Sequence, residues 1–119
     1  MSIYGVGIDV ADVGRFESLL VQRGESFVRR WFTGAEIAEC GTDPRHYAGR
    51  FAAKEAVWKA LGLDSAGPAV WRSIEILGSD ARLQVTIHSP LKQPPVTSIE
   101  VDITVRDGLA TAVAIASTP

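Results

Sequence analysis

Apolar positions recur along this chain at two different periods, and the change comes at Gly62. Residues 2 to 9, SIYGVGID, predict a first strand, with Ile3, Val6 and Ile8 as its apolar positions and two glycines thinning it. In residues 12 to 24, DVGRFESLLVQRG, Val13, Phe16, Leu19 and Leu20 fall at helical spacing and Gly24 suits the stop. A second short helix is predicted for 26 to 31. TGAE at 33 to 36 has the form of a capping box, with Thr33 as N-cap and Glu36 three residues on, and both are read as structural. Pro44 opens a long helix that runs to Leu61, and Gly62 ends it.

Beyond Gly62 the period becomes two. Strands are predicted over 69 to 77, 82 to 88, 98 to 105 and 109 to 117. GSD at 78 to 80 and RDG at 106 to 108 read as hairpin turns, and SPLKQPP at 89 to 95 as a proline-broken connection. Helices early and hairpins late predict an α+β fold: an antiparallel sheet carrying the long helix on one face.

Composition narrows the function classes. A chain of 119 residues, 46% hydrophobic and 22% charged, fits one globular domain over residues 1 to 119. A net charge of -2 argues against a generic nucleic-acid binder, which needs a basic excess. The single cysteine, Cys40, rules out an internal disulfide. MSIYGVGIDV lacks a basic region followed by an apolar core, and no apolar run is long enough to span a bilayer. A cytoplasmic protein with no membrane partner is expected.

The chemistry concentrates in the long helix. Within GRFAAKEAVWKALG, residues 49 to 62, Lys54, Glu55 and Lys59 interrupt a run of small and apolar residues. A Glu followed four residues later by Lys usually decorates a wet surface and adds only tenths of a kcal/mol. Asp9 changes the picture, because it ends an apolar strand where an unpaired buried carboxylate would be costly. The preceding GVG is no dinucleotide fingerprint, since Val10 stands where a third glycine belongs. Asp9 and Glu55 could instead share a hard cation, and magnesium accepts so sparse a ligand set. Arg15, Arg50, Lys54 and Lys59 supply positive charge nearby in sequence. Metal with flanking cations suits phosphoryl transfer, which is mostly positioning and charge neutralisation.

GVGIDVADVGRF and AGRFAAKEAVWKALG, with FTGAE between them, resemble the signature motifs of the holo-acyl-carrier-protein synthases, the small 4'-phosphopantetheinyl transferases. The resemblance implies that family's fold and its reaction. The phosphopantetheine arm of coenzyme A moves to a serine of an apo acyl carrier protein, leaving adenosine 3',5'-bisphosphate. Asp9 and Glu55 match magnesium ligands, Glu55 also taking the serine proton. Lys59 matches a catalytic lysine beside the bridging phosphates. Arg50, Lys54 and Lys59 match cofactor-binding positions. Arg15 starts the helix offered to the carrier, and with Arg23 it gives that helix a basic excess. A homotrimer with its active site between subunits is also implied, with the small residues of LATAVAIAS placed where sheets meet. The carrier, whether of fatty-acid, polyketide or peptide-synthetase type, is left open.

The resemblance weakens towards the C-terminus. Asp102 and Val105 stand where the family carries Ser and His, ARL at 81 to 83 replaces a Gly-x-Pro hairpin, and SPLKQPP replaces a short helix. These departures imply a looser hold on the nucleotide end of coenzyme A, so that dephospho-coenzyme A is accepted almost as well, unless Arg106 or another cation substitutes. Two readings follow: a working transferase with a remodelled nucleotide pocket, or a catalytically impaired relative acting as a carrier-protein-binding or assembly module.

Overall fold

The computed structural model describes residues 1–79 and 82–119. Strand β1 (Ser2–Asp12) leads into helices α1 (Val13–Arg23), α2 (Glu25–Trp31), α3 (Gly34–Cys40), α4 (Pro44–Leu61) and α5 (Pro68–Ser73). Strands β2 (Ile74–Ser79), β3 (Arg82–Ile87), β4 (Ser98–Arg106) and β5 (Leu109–Thr118) complete the chain. Three strands form an antiparallel sheet in the order β1-β5-β4, and β2 and β3 form a separate antiparallel hairpin. This is the expected α+β arrangement, with α4 laid across one face of the larger sheet.

Local signals account for most boundaries. Asp12 caps α1 by accepting from the Gly14 N–H, Thr33 and Glu36 form the predicted capping box of α3, and Asp43 caps α4 with Pro44 in its first turn. Gly62 ends α4 in the left-handed conformation. Asp107 and Gly108 take φ of 53° and 78°, the pair of positive values a type I′ hairpin turn requires.

Two expectations need correction. The segment 69 to 77 is not one strand. Pro68 fixes the first turn of α5, whose six residues end with the Ser73 hydroxyl donating to the Ala69 carbonyl; the strand starts only at Ile74. True alternation in the sequence also begins only there, since Ala69, Val70 and Trp71 are consecutive apolar residues. The first strand runs on to Asp12, because β5 pairs with it as far as Leu109. Of the turn expected at 78 to 80, Gly78 and Ser79 belong to β2, while Asp80 lies outside the described residues, as does Ala81 of the ARL stretch.

The packing of α4 on β1 is unusually close. A Cβ on Gly5 would sit 2.0 Å from the Ala60 carbonyl oxygen, and one on Gly7 would sit 1.9 Å from that of Ala56. The two glycines of GVG thus serve helix-on-strand contact, and Ala56 and Ala60 keep the other side equally thin. Ala110, Ala112, Ala114 and Ala116 of β5 are fully buried on the same face. The small residues of the last strand therefore belong to the core under α4. Tilted and edge-to-face aromatic pairs linking Phe16, Phe27, Phe32, Tyr47, Phe51 and Trp71 fill the space between the helices. On the outer face of the sheet β1 and β5 are left apolar, with Val6, Ile8, Val10, Leu109 and Val113 exposed, whereas β4 presents Glu100, Asp102, Thr104 and Arg106.

Candidate active site

Asp9 points from β1 to the α4 side, as do Gly5, Gly7 and Ala11 in the strand's alternation. Glu55 and Lys59 stand one turn apart on α4 beside it. The Lys59 ammonium lies 2.9 Å from Asp9 Oδ1 and donates to the Ile8 carbonyl at 3.2 Å. The Glu55 carboxyl lies close enough to Asp9 for the two to share a proton. Burial pushes the Glu55 carboxyl up to about 7, and the hydrogen bond and the negative charge of Asp9 add to the rise, while Lys59 and Arg15 pull it back. Asp9, Glu55, Lys59 and Arg15 thus form one cluster at the β1 edge of the sheet.

Two carboxylates in contact repel unless a proton or a cation lies between them. Their oxygen donors fit a hard divalent ion, which takes its remaining ligands from water and phosphate. A testable pH dependence follows. The folded state holds the Glu55 proton at about 7 against an ordinary 4.5, so metal-free protein loses stability as pH rises between those values. A magnesium ion held by the pair would replace that proton, and its stabilising effect should then grow over the same interval. Melting temperatures in EDTA and in magnesium, at about pH 5.5 and about pH 8, measure both trends. Glu55→Gln should flatten each difference; equal magnesium shifts in parent and variant would exclude Glu55 as a ligand.

Arg50 belongs to a second locus. The helix turns by roughly 140° between residues 50 and 55, and Arg50 reaches the opposite way, donating to Glu39 Oε1 at 2.8 Å and to the Gly78 carbonyl. It lines a cavity of about 610 Å³ whose walls include Arg45, His46, Gly49, Leu83 and Val105. That cavity lies at the β4 edge, and β5 separates β4 from β1 by about 10 Å, two strand spacings. One chain therefore does not bring Arg50 to the carboxylate cluster. Arg45 and His46 were not singled out by sequence, although positions 45, 46, 49 and 50 share one helical face and carry its charge.

Lys54 lies in neither locus. Its ammonium is fully buried, 2.7 Å from Glu36 Oε1, and donates to the carbonyls of Trp71 and Ile74 at 2.6 and 2.7 Å. Burial draws its pKa down and the Glu36 carboxylate holds it up. With three N–H groups committed, Lys54 has none left for a phosphate; it ties α3, α5 and β2 to α4. Glu36 also accepts from the Ile76 and Thr33 N–H groups at 2.8 and 2.9 Å, which confirms its structural role. Lys54→Ala would strand the buried Glu36 charge, and a loss of about 3–5 kcal/mol in urea unfolding is expected.

The remaining candidates are peripheral. Arg23 is exposed on α1, as is Arg15 of the carboxylate cluster, and Val21 between them is 84% exposed. Asp102 and Arg106 are exposed on β4, outside the cavity lining, so Asp102 does not face it. Cys40 is buried with its thiol pushed up to about 11, chiefly by burial, and is no nucleophile. Among the described residues no helix is long and apolar enough to cross a membrane.

Comparison with known proteins fits this geometry. The family model of the 4'-phosphopantetheinyl transferase superfamily matches residues 5–114. A holo-[acyl-carrier-protein] synthase of Chlorobaculum parvum is 38% identical over 89 residues, covering 71% of this chain and 76% of its own. One of Solidesulfovibrio magneticus is 42% identical over 90 residues, covering 74% and 73%. The crystal structure of the Neisseria meningitidis synthase superposes with a TM-score of 0.77 at 28% identity, covering 98% of this chain and 99% of that one. That of the Helicobacter pylori synthase in complex with coenzyme A gives 0.78 at 25% identity, covering 94% and 99%. The chain belongs to the 4'-phosphopantetheinyl transferase superfamily and, within it, to the holo-[acyl-carrier-protein] synthase family.

Proposed function

We propose that this chain transfers the 4'-phosphopantetheine arm of coenzyme A to a serine of an apo acyl carrier protein, with magnesium, releasing adenosine 3',5'-bisphosphate. The observation that carries the reading is the Asp9–Glu55 pair with Lys59 bonded to Asp9 and Glu55 raised to about 7. A carboxylate poised there suits a base working near neutral pH. The serine oxygen bonds to the phosphorus that carries the pantetheine, the bond from that phosphorus to the bridging oxygen breaks, and Glu55 receives the serine proton. Lys59 faces the charge that develops on the leaving phosphate. Asp9 and Glu55 would hold magnesium, which neutralises the diphosphate. Lys54 supports this arrangement from the core. Intact mass of several apo carrier proteins, after incubation with the protein, coenzyme A and magnesium, tests the reaction; unmodified carriers throughout would favour the binding-module reading.

The active species we infer is a homotrimer. Arg50 lies at the sheet edge opposite the carboxylates, so a site that uses both is built from neighbouring copies. The exposed apolar stripe of Val6, Ile8, Val10 and Val113 supports burial of that face, and a head-to-tail contact closing at three copies makes every site equivalent. The carrier is proposed to dock on α1, where Arg15 and Arg23 flank exposed Val21 and Arg15 lies close enough to act on Glu55. An acidic partner helix complements such a surface. Arg23→Glu, about 12 Å along the helix from Arg15, should slow transfer roughly tenfold at low ionic strength and much less at about 0.5 M salt. A salt-independent effect would reject the electrostatic contribution.

A further inference from the structure

Away from the carboxylate cluster and the β4 edge, a groove of about 500 Å³ opens between α2, α3 and α5. One side of α2 supplies Glu25, Val28, Arg29 and Phe32, at the spacing of neighbours on a helix. The start of α3 adds Thr33, Gly34 and Ile37, and α5 adds Arg72. The bottom is hydrocarbon: Val28 and Phe32 are buried there and Ile37 is half-buried beside them. The Thr33 hydroxyl is already engaged, donating to Glu75 at 2.6 Å and accepting from the Glu36 N–H at 3.2 Å. The rim is cationic. Arg72 is anchored through Nη1, which donates to the Arg30 carbonyl at 2.7 Å, and the rest of its fork has no partner among the described residues. Arg29 meets Glu25 at 3.3 Å with the two side chains 71% and 79% exposed, and so wet a pair holds it only weakly.

Hydrocarbon below and two guanidinium groups above match an amphipathic monoanion. We propose that the groove binds a free fatty-acid anion, with its carboxylate at Arg72 and Arg29 and its chain along Val28, Phe32 and Ile37. A guanidinium and a carboxylate pair through two parallel hydrogen bonds, stronger than those between neutral groups. Arg29 thereby exchanges a fully wet partner for one seated over apolar side chains. An acidic peptide suits the rim but not the bottom, because its backbone N–H and C=O groups would face side chains that cannot bond them. Neither Asp9, Glu55 nor Lys59 lines the groove, so binding there goes beyond the transfer reading and does not rest on it.

Calorimetric titration of the whole chain with octanoate, decanoate and dodecanoate, each below its micellar concentration, tests the site. Decanoate should bind with a dissociation constant on the order of 0.1 mM. Each pair of added methylenes should tighten binding roughly tenfold. Decyltrimethylammonium, with the same chain and the opposite charge, should give no measurable binding. Arg72→Ala should weaken decanoate roughly tenfold. Gly34→Leu is the steric counterpart: a Cβ on Gly34 meets nothing within 4 Å, so a leucine enters the groove without a clash and should abolish binding. Melting temperatures establish that each variant is folded, and the comparison of anion with cation needs no variant at all. Absence of decanoate binding in the parent, equal affinity for decyltrimethylammonium, or undiminished binding in the folded Arg72→Ala or Gly34→Leu protein overturns the proposal. If the parent binds no decanoate and Arg72→Ala raises the KM for a carrier protein, the groove belongs to the carrier and the fatty-acid site is rejected.

Discussion

Glu55→Gln should reduce transfer by about a thousandfold or more, with the protein still folded. The change removes a base and one of two candidate metal ligands in a single step, while the amide keeps the side chain's size and its place beside Asp9. Folding itself has little reason to suffer. Glu55 is held partly protonated by burial and by Asp9, so a neutral amide relieves repulsion in the metal-free protein. The readouts are the rate at saturating magnesium and the melting temperature in EDTA. A variant that transfers at the parent rate would remove Glu55 from the mechanism altogether.

A second result of comparable size concerns the separation of the two loci. Glu55→Gln and Arg50→Ala should each be nearly inactive alone. If one copy supplies Glu55 and its neighbour supplies Arg50, mixing the two variants and letting them reassemble recreates intact sites. In a random mixture of equal parts, a site draws an intact Glu55 from one copy and an intact Arg50 from the next about one time in four. Recovery to about a quarter of the parent rate is therefore expected. A site contained within one chain gives no recovery at all. Ile8→Asp should abolish recovery and parent activity together, because it sets a charge within the exposed apolar stripe of β1 and β5. Light scattering should then report a monomer; a fully active Ile8→Asp monomer would reject the shared site.

The fold and half of the candidate site's grouping were legible in the sequence for identifiable reasons. Caps and stops are local chemistry, so Thr33 with Glu36, Pro44 and Gly62 marked α3 and α4 correctly. Asp9 and Glu55 stood out because a carboxylate in an apolar strand and another in an alanine-rich helix both demand partners. Lys54 carried the same signal as its neighbours. Which side of α4 it faces depends on the partners that α3, α5 and β2 bring, and no spacing within the helix reveals that. Arg50 seemed to stand beside Glu55 within one chain for the same reason, since five residues look close along a sequence and are far around a helix. The α5 helix was hidden by hydrophobic residues that suit a strand as well, and Pro68 decided the matter.

The contact of Gly5 and Gly7 with Ala60 and Ala56 also bears on how this family member tolerates change. Glu55 and Lys59 are the immediate sequence neighbours of Ala56 and Ala60, so the gap between glycine and carbonyl also sets the gap between Asp9 and its partners. A methyl group at position 7 cannot fit without lifting α4 away from β1. In a saturation library selected for activity, positions 5 and 7 would be depleted as severely as the carboxylates, although neither touches a substrate. Directed evolution of donor or carrier preference therefore has little freedom at the β1–α4 seam. Its accessible variation lies in the cavity wall at the β4 edge and on the exposed face of α1.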